Sequence, residues 1–457
     1  MLDEKFKKRM SSLLGEEYEA FIDAIENKPA VSGARVNTLK CDTAKAKECI
    51  GTRLTPLSYA DDGFILSDKD GIGSTPWHHA GMIYVQDPGA MATVNALDVL
   101  PGWSVLDMCS APGGKSGQAA SKIGDGGFLL SNEYVPKRTK VVVSNFERLG
   151  IKNAIVTSLD TGEFSKLFSD FFDLVIADVP CSGEGMFRKS LDAVRDWSEE
   201  NVLTCANRQK MIIRNAASQV KAGGYLLYST CTYSLEENEM IIDGFLKEYP
   251  SFEIVRVKRE LEEVTKDGIT FPGEHSKNLN MCRRFYPHIS EGEGQFIALL
   301  RKTQGGMPTI LYKDAAKPLT KEENAAVQKF FDTSLIKAPD GRIAKVGENI
   351  VIISHGYPIP PKSVFSAGVL IGTVQKGLLF PSHQFFSAYG HLFLRREELR
   401  CGDGRVGKYL SGEEICAESF TDSGFCSVLY EGAVLGGGKA SLGKIKNHYP
   451  KGLRNKN

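Results

Sequence analysis

The sequence predicts an α/β protein built on a parallel sheet, preceded by a small α+β unit and followed by a β-rich C-terminal region. Two observations carry that prediction. Between residues 96 and 302 strand-like and helical segments alternate. Several of those strands are almost wholly apolar, the pattern of strands covered on both faces. The length of 457 residues exceeds what one core can organise and suggests about two to four domains.

Each element has its own signal. Residues 1–30 read as helices, with Phe6, Met10, Leu13 and Leu14 at helical spacing. "ARVNTLK" (34–40) and "GFILSD" (63–68) read as strands and complete a first unit over 1–95. "WSVLDMC" (103–109) is a strand leading into a Gly-rich loop, and "KSGQAASKIG" (115–124) is a helix stopped by glycine. "GGFLLSNEY" (126–134) is a second strand. The helix 135–150 has Pro136 near its start and Gly150 past its end. Strands follow at 153–160, 171–180 and 223–232, with a helical stretch at 199–221 whose Met211, Ile212 and Val220 read as core. "SFEIVRV" (251–257) and "GQFIALLRK" (294–302) are later strands. "TQGGMPT" then reads as a linker, and 303–385 and 386–457 as two small domains.

Formal net charge is zero, so a nucleic-acid surface requires local segregation of charge. The N-terminal stretch mixes acids and bases and lacks the apolar segment of a secretory signal. No run reaches the roughly 18 apolar residues of a membrane helix, so the chain reads as cytoplasmic. Ten cysteines include no C-x-x-C pair and no neighbouring His cluster, which argues against a metal site. In a reducing cytosol they are free thiols.

The loop "DMCSAPGGKSGQAA" (107–120) carries adjacent glycines before a helix start, where free N–H groups gather. It fails both the P-loop and the G-x-G-x-x-G patterns. Acids end four successive strands, at Asp107, Glu133, Asp160 and Asp178, all on the edge where such sheets bind ligands. A pocket lined by acids suits ribose hydroxyls, an adenine amino group and a cationic centre. S-adenosylmethionine has all three.

At this point three motifs, "DMCSAPGGKS", "ADVPCSGEGMF" and "YSTCTYSLEENE", in that order, resemble those of the Nol/Nop/Sun family of RNA (cytosine-5)-methyltransferases. "RVNTLK" and "YVQDPGAM" resemble its N-terminal segment, and "RRFYPHISEGEGQFIALLRK" its closing strands. The tail "GGGKASLGKIKNHYPKGLR" resembles the PUA-like RNA-binding tail of the bacterial F-type branch, which acts on small-subunit ribosomal RNA. Val179 and Gln295 depart from the common pattern. The resemblance implies a Rossmann-like catalytic domain over 96–302, an RNA-binding domain over 1–95 and a PUA-like one over 386–457. It further implies that Cys109, Ser110, Ala111, Pro112, Gly113, Gly114 and Lys115 cradle S-adenosylmethionine. Glu133 holds the ribose, Arg138 joins the cofactor site and Asp160 meets the adenine. Asp178 lies between cofactor and base, Cys231 is the nucleophile and Cys181 assists product release.

Those roles match what the chemistry needs. Carbon 5 of cytosine is a poor nucleophile until a thiolate adds at carbon 6, so covalent catalysis divides the barrier. The "PC" at 180–181 keeps Cys181 as an alternative nucleophile, as in DNA cytosine-5 methyltransferases. The target base must leave its stack, which favours opened RNA. For holding RNA, the tail offers Lys439, Lys444, Lys446, Lys451, Arg454 and Lys456 with His448 and Tyr449 as stacking surfaces. "CRRFYPH" (282–288) is a second basic-aromatic cluster, and "RKS" (188–190) flanks the substrate. A transfer RNA substrate and a catalytically silent assembly factor remain alternative readings.

Overall fold

The structure is a computed structural model that describes residues 2–67, 71–354 and 357–455; Asp68, at the end of an expected strand, and Lys456 of the basic tail lie outside them. Seven strands of the ten-stranded central sheet position the site. They are β1 Ser104–Asp107, β2 Phe128–Asn132, β3 Ala154–Thr157, β4 Phe172–Asp178, β5 Val220–Thr230, β6 Arg283–Phe285 and β7 Gln295–Lys302. Their spatial order is 3-2-1-4-5-7-6. Strands β1 to β5 are parallel, and β7 and β6 close the sheet antiparallel. Successive side chains of a strand point to opposite faces. Hence Leu106, Leu130, Ile155, Val175 and Leu226 enter one core, while Val105, Leu129, Val156, Ile176 and Leu227 enter another. That two-sided burial is why these strands read as continuous apolar runs.

Three helices matter for the site: α1 Gly114–Ile123, α2 Pro136–Leu149 and α3 Glu199–Ala217. Pro136 sits in the first turn of α2 and Gly150 caps it at φ +70°. On α3, Ile212 is buried but Met211 is 64% exposed, which corrects its reading as core. Adjacent positions on a helix point about 100° apart, and the apolar stripe passes through Ile212 and Ile213 instead. Strand β5 starts at Val220 rather than 223, with an irregularity between Val220 and Tyr225.

The first unit contains helices Glu4–Leu14 and Tyr18–Glu26 and a four-stranded antiparallel sheet. Its strand Gly33–Val36 is shorter than the expected 34–40. Asn37 ends it by donating its amide to the Gly81 and Leu149 carbonyls. The stretch after 302, expected as a linker, lies on the catalytic core, where Thr309–Ile310 pairs with Phe168–Ser169. Val364–Ala367 adds an antiparallel edge strand beside β3. An uncovered β3 would present unpaired backbone groups, and this strand satisfies them.

The C-terminal part holds a four-stranded antiparallel sheet and a five-stranded sheet. The last sheet and the first unit share one core, in which Ala34, Val36 and Trp77 meet Val428, Leu435 and Tyr449. Tyr449 is therefore buried, and its hydroxyl bonds His79 Nδ1 at 2.7 Å, so it offers no face to a base. The "CRRFYPH" cluster is likewise core. Cys282, Arg283, Arg284, Phe285 and Tyr286 are all buried, and Arg284 pairs with Glu239 at 2.5 Å. Short basic-aromatic strings look alike in sequence whether they face water or form the inner strand of a sheet.

A buried ion pair broken on one side leaves an uncompensated charge. Glu239→Ala should cost about 3–5 kcal/mol of unfolding free energy, measured by urea denaturation; a loss below about 1 kcal/mol would show that Arg284 finds other partners.

Candidate active site

The sheet order reverses between β1 and β4, which opens a crevice at their carboxyl ends. The loop leaving β1 is set by Asp107. Its fully buried carboxylate accepts from Ser116 Oγ at 2.6 Å and from the Cys109 N–H at 3.3 Å. Asp107 thus anchors the loop and does not face the crevice. Gly113 adopts φ +104°, a conformation that selects glycine, and carries the chain into α1. The Ser110 Oγ in this loop is buried without a hydrogen-bond partner. Burial pushes the Cys109 thiol well up, which suits a packing role.

At the end of β2, Glu133 is buried and accepts from the Val135 N–H at 3.0 Å. Arg138 lies 3.6 Å from its carboxylate and donates to the Ala111 carbonyl at 3.2 Å, so it ties β2 to the Gly-rich loop. Asp160, past β3, is exposed and caps a short turn by accepting from the Gly162 N–H. Asn132 joins the three strand ends, because its amide donates to the Met108 and Leu159 carbonyls and its oxygen accepts from Thr157.

At the ends of β4 and β5 the arrangement tightens. Asp178 accepts from Lys115 Nζ at 2.8 Å and from Ser229 Oγ at 2.6 Å. Burial works against the Lys115 ammonium, but Asp178 outweighs it and raises the group. Cys181 Sγ and Cys231 Sγ are 3.1 Å apart, and the Cys231 N–H donates to Cys181 Sγ. Contact with the Cys231 sulfur, followed by burial, pushes the Cys181 thiol well above its ordinary range. Cys205, Cys282 and Cys426 are buried elsewhere, and Cys401 and Cys416 are exposed.

Two buried acids that sequence reasoning passed over hold these loops. Glu184 accepts from Thr232 Oγ1, the Tyr233 N–H, Ser234 Oγ and Trp197 Nε1, all within 2.7–2.8 Å. Glu237 accepts from the Ser182 N–H and Gln209 Nε2, and burial pushes it up to about 7. Both lie inside the quoted motifs, but Glu184 stands between two glycines and Glu237 between Glu236 and Asn238, so nothing local marked them. A Cβ on Gly185 would sit 2.5 Å from the Gly294 carbonyl oxygen, and one on Gly294 would overlap the Tyr233 ring. The three loops meet too closely for any side chain there. Arg188, expected to flank substrate, is instead buried against Glu293 at 2.7 Å. Lys189 pairs with Asp87 at 2.6 Å.

This geometry can be set beside known proteins. A model of the 16S rRNA methyltransferase RsmB/F matches residues 94–301. A ribosomal RNA small subunit methyltransferase F from Vibrio campbellii is 31% identical, covering 96% of this chain and 94% of its own. The chain belongs to the RsmB/F family of 16S rRNA methyltransferases. The RsmF N-terminal domain model matches residues 2–88 and the RsmF PUA domain model residues 396–455. The F-type branch expected from the motifs is therefore the one found. The corresponding enzyme of Erwinia tasmaniensis is 30% identical over 98% of this chain and 96% of its own. Among solved structures, a methyltransferase homologue from Pyrococcus horikoshii is 30% identical with TM-score 0.57, covering 66% of this chain and 95% of that one. No helix among the described residues is long and apolar enough to cross a membrane. Among the same residues no group of His, Cys, Asp and Glu is placed to hold a metal.

Burial pushes the Asp107 carboxyl up to about 7. A carboxyl raised on folding contributes stability that is full below its unfolded pKa and is lost as pH climbs through about 7. The melting temperature should fall over that window, and Asp107→Asn should flatten part of the fall, with Glu237 carrying more of it. An unchanged slope in the variant would refute the assignment.

Proposed function

We propose that the protein is an S-adenosylmethionine-dependent RNA (cytosine-5)-methyltransferase that forms 5-methylcytosine in 16S ribosomal RNA, with Cys231 as nucleophile. The observation that carries this reading is the pair of cysteine sulfurs, 3.1 Å apart at neighbouring strand ends, beside the Lys115–Asp178 pair. A cytoplasmic location follows from that substrate.

The loop and strand ends fit S-adenosylmethionine. Ser110 Oγ is an unspent buried donor, the start of α1 offers backbone N–H groups, and Glu133 is a buried carboxylate at the ribose-binding position. Residues 109–115, Glu133, Arg138, Asp160 and Asp178 would hold it. When bound, it supplies an electrophilic methyl group.

The chain's own groups do the rest. The Cys231 thiolate adds to carbon 6 of the cytosine, and carbon 5 becomes enamine-like. Lys115 places an ammonium within electrostatic reach of that sulfur. Cys181, whose thiol holds its proton tightly, stays the acid of the pair. Asp178, fixed by Lys115 and Ser229, faces the base from the end of β4. After carbon 5 has taken the methyl group, a base takes its proton, and the carbon–hydrogen pair restores the carbon 5–carbon 6 double bond. The carbon–sulfur pair leaves with Cys231 as thiolate, with Cys181 beside it to exchange a proton. Outside the crevice, the exposed lysines Lys439, Lys444 and Lys446 offer a phosphate-binding face on the last sheet.

Cys231→Ala should lower methyl transfer to 16S rRNA by on the order of 10³-fold or more, as loss of a nucleophile does. Cys181→Ala should instead accumulate a covalent protein–RNA adduct, visible on a denaturing gel. Full activity in the Cys231 variant would end the nucleophile assignment, and bisulfite mapping without a new 5-methylcytosine would end the base assignment. Replacing Lys439, Lys444 and Lys446 by Gln should make the plot of log affinity against log salt shallower by about 2, since each phosphate contact adds about 0.7–0.9 to the slope. An unchanged slope would exclude this face from RNA binding.

A further inference from the structure

The residues that follow the two cysteines are both hydroxylated, and their hydroxyls touch. Ser182 Oγ lies 2.8 Å from Thr232 Oγ1. At one end of this contact, Ser182 Oγ is 2.5 Å from Glu237 Oε1; at the other, Thr232 Oγ1 is 2.7 Å from Glu184 Oε2. All four side chains are buried. The chain therefore contains three oxygen–oxygen contacts of hydrogen-bond length. Two hydroxyls bring only two hydrogens.

The third hydrogen must come from a carboxyl group, and the donors around each acid decide which. Each Glu184 oxygen already accepts from two donors. Oε1 takes Ser234 Oγ and Trp197 Nε1, and Oε2 takes Thr232 Oγ1 and the Tyr233 N–H. Glu184 is saturated as an acceptor and is the anion. On Glu237, Oε2 takes both N–H donors, from Ser182 and Gln209 Nε2. Oε1 faces Ser182 Oγ alone among the described residues. A proton on Glu237 Oε1 completes the chain: Glu237 donates to Ser182, Ser182 to Thr232, and Thr232 to Glu184. Without it, two oxygen lone pairs face each other in a dry interior, at the cost of an unmade buried hydrogen bond.

We propose that Glu237 is a positioning residue, protonated in the working enzyme, which acts through Ser182 and Thr232 to hold the Cys181 and Cys231 segments at their observed separation. This rests on the reading that those cysteines carry the chemistry. A neutral carboxylic acid kept as a hydrogen-bond donor is an established device of buried sites. The groups around Glu237 favour it. Burial comes first, and Glu184 adds a repelling charge. Cys181, Tyr228 from β5 and Cys205 from α3 are neutral neighbours, and no lysine or arginine among the described residues ion-pairs with Glu237. Above neutrality the proton leaves, the chain breaks and turnover falls.

The test compares the full-length wild type with Glu237→Gln, whose amide N–H replaces the acid proton, and Ser182→Ala, which cuts the chain. The infrared difference spectrum between wild type and Glu237→Gln should show the carbonyl stretch of a protonated carboxyl. Methyl transfer by the wild type should drop about tenfold as pH rises past neutrality and then level off, because a broken chain costs about one buried hydrogen bond. Glu237→Gln should keep roughly half or more of the activity and lose that drop, as a neutral mimic should. Ser182→Ala should run about tenfold below the wild type at and below neutrality, the loss expected for one buried hydrogen bond, and show no alkaline drop of its own. Absence of the carboxyl band, or an alkaline limb unaltered in Glu237→Gln, would overturn the proposal. The infrared arm needs no RNA, so it stands or falls apart from the nucleophile assignment, which fails separately if Cys231→Ala turns over.

Discussion

The site depends on the parallel pairing of β4 and β5, in which Ser229 lies opposite Asp178. That register puts the two strand ends level. From there each strand runs into a cysteine, Cys181 three residues after Asp178 and Cys231 two after Ser229. A slip of one residue would turn every side chain of β5 to the other face and send Tyr228 and Ser229 into the wrong layers. The register is locked on its far side by six residue pairs with β7 and below by continuous apolar burial. The contact between the two sulfurs is thus underwritten by an ordinary hydrophobic sheet.

Around those ends the polar groups form a layered support. Glu184 gathers the loop after β5, and Glu237 gathers the loop after β4. Beyond them the N-terminal helices close an aromatic seam, where Phe21 meets the Tyr233 ring edge-on at 5.0 Å and Phe6 meets Phe187 at 5.0 Å. Tyr233 is two residues from Cys231, so the first helices brace the Cys231 loop directly. The shared core between the first unit and the last sheet then joins the chain's two ends. In this arrangement the last sheet is mechanically continuous with the first unit and, through it, with the loops after β4 and β5.

Much of this was legible in the amino-acid sequence. The apolar runs marked β1 to β5 because both faces of each strand are buried, and Pro136 and Gly150 marked the ends of α2 by their own backbone chemistry. Strand-end acids and the two cysteines could be placed on one edge, since parallel strands share a direction. Lengths were less secure. Asn37 ended a strand early by reaching two carbonyls that are remote in sequence, one of them 112 residues away.

What tertiary structure alone decided was which surface of a segment is covered, and by what. Tyr449 and the 282–288 string carry residues equally suited to RNA or to a core, and only the neighbouring sheet determined that they are core. The edge strand from 364–367 could not be foreseen, because pairing across some 200 residues leaves no local periodic mark. The same holds for the Glu237–Ser182–Thr232–Glu184 chain. Its members were visible in the motifs, but hydrogen-bond distances between side chains 50 residues apart exist only after the strands pair. Local propensity and pattern determined the elements and the kind of chemistry. Long-range packing determined which acids are buried, which are paired, and how two sulfurs come to lie in contact.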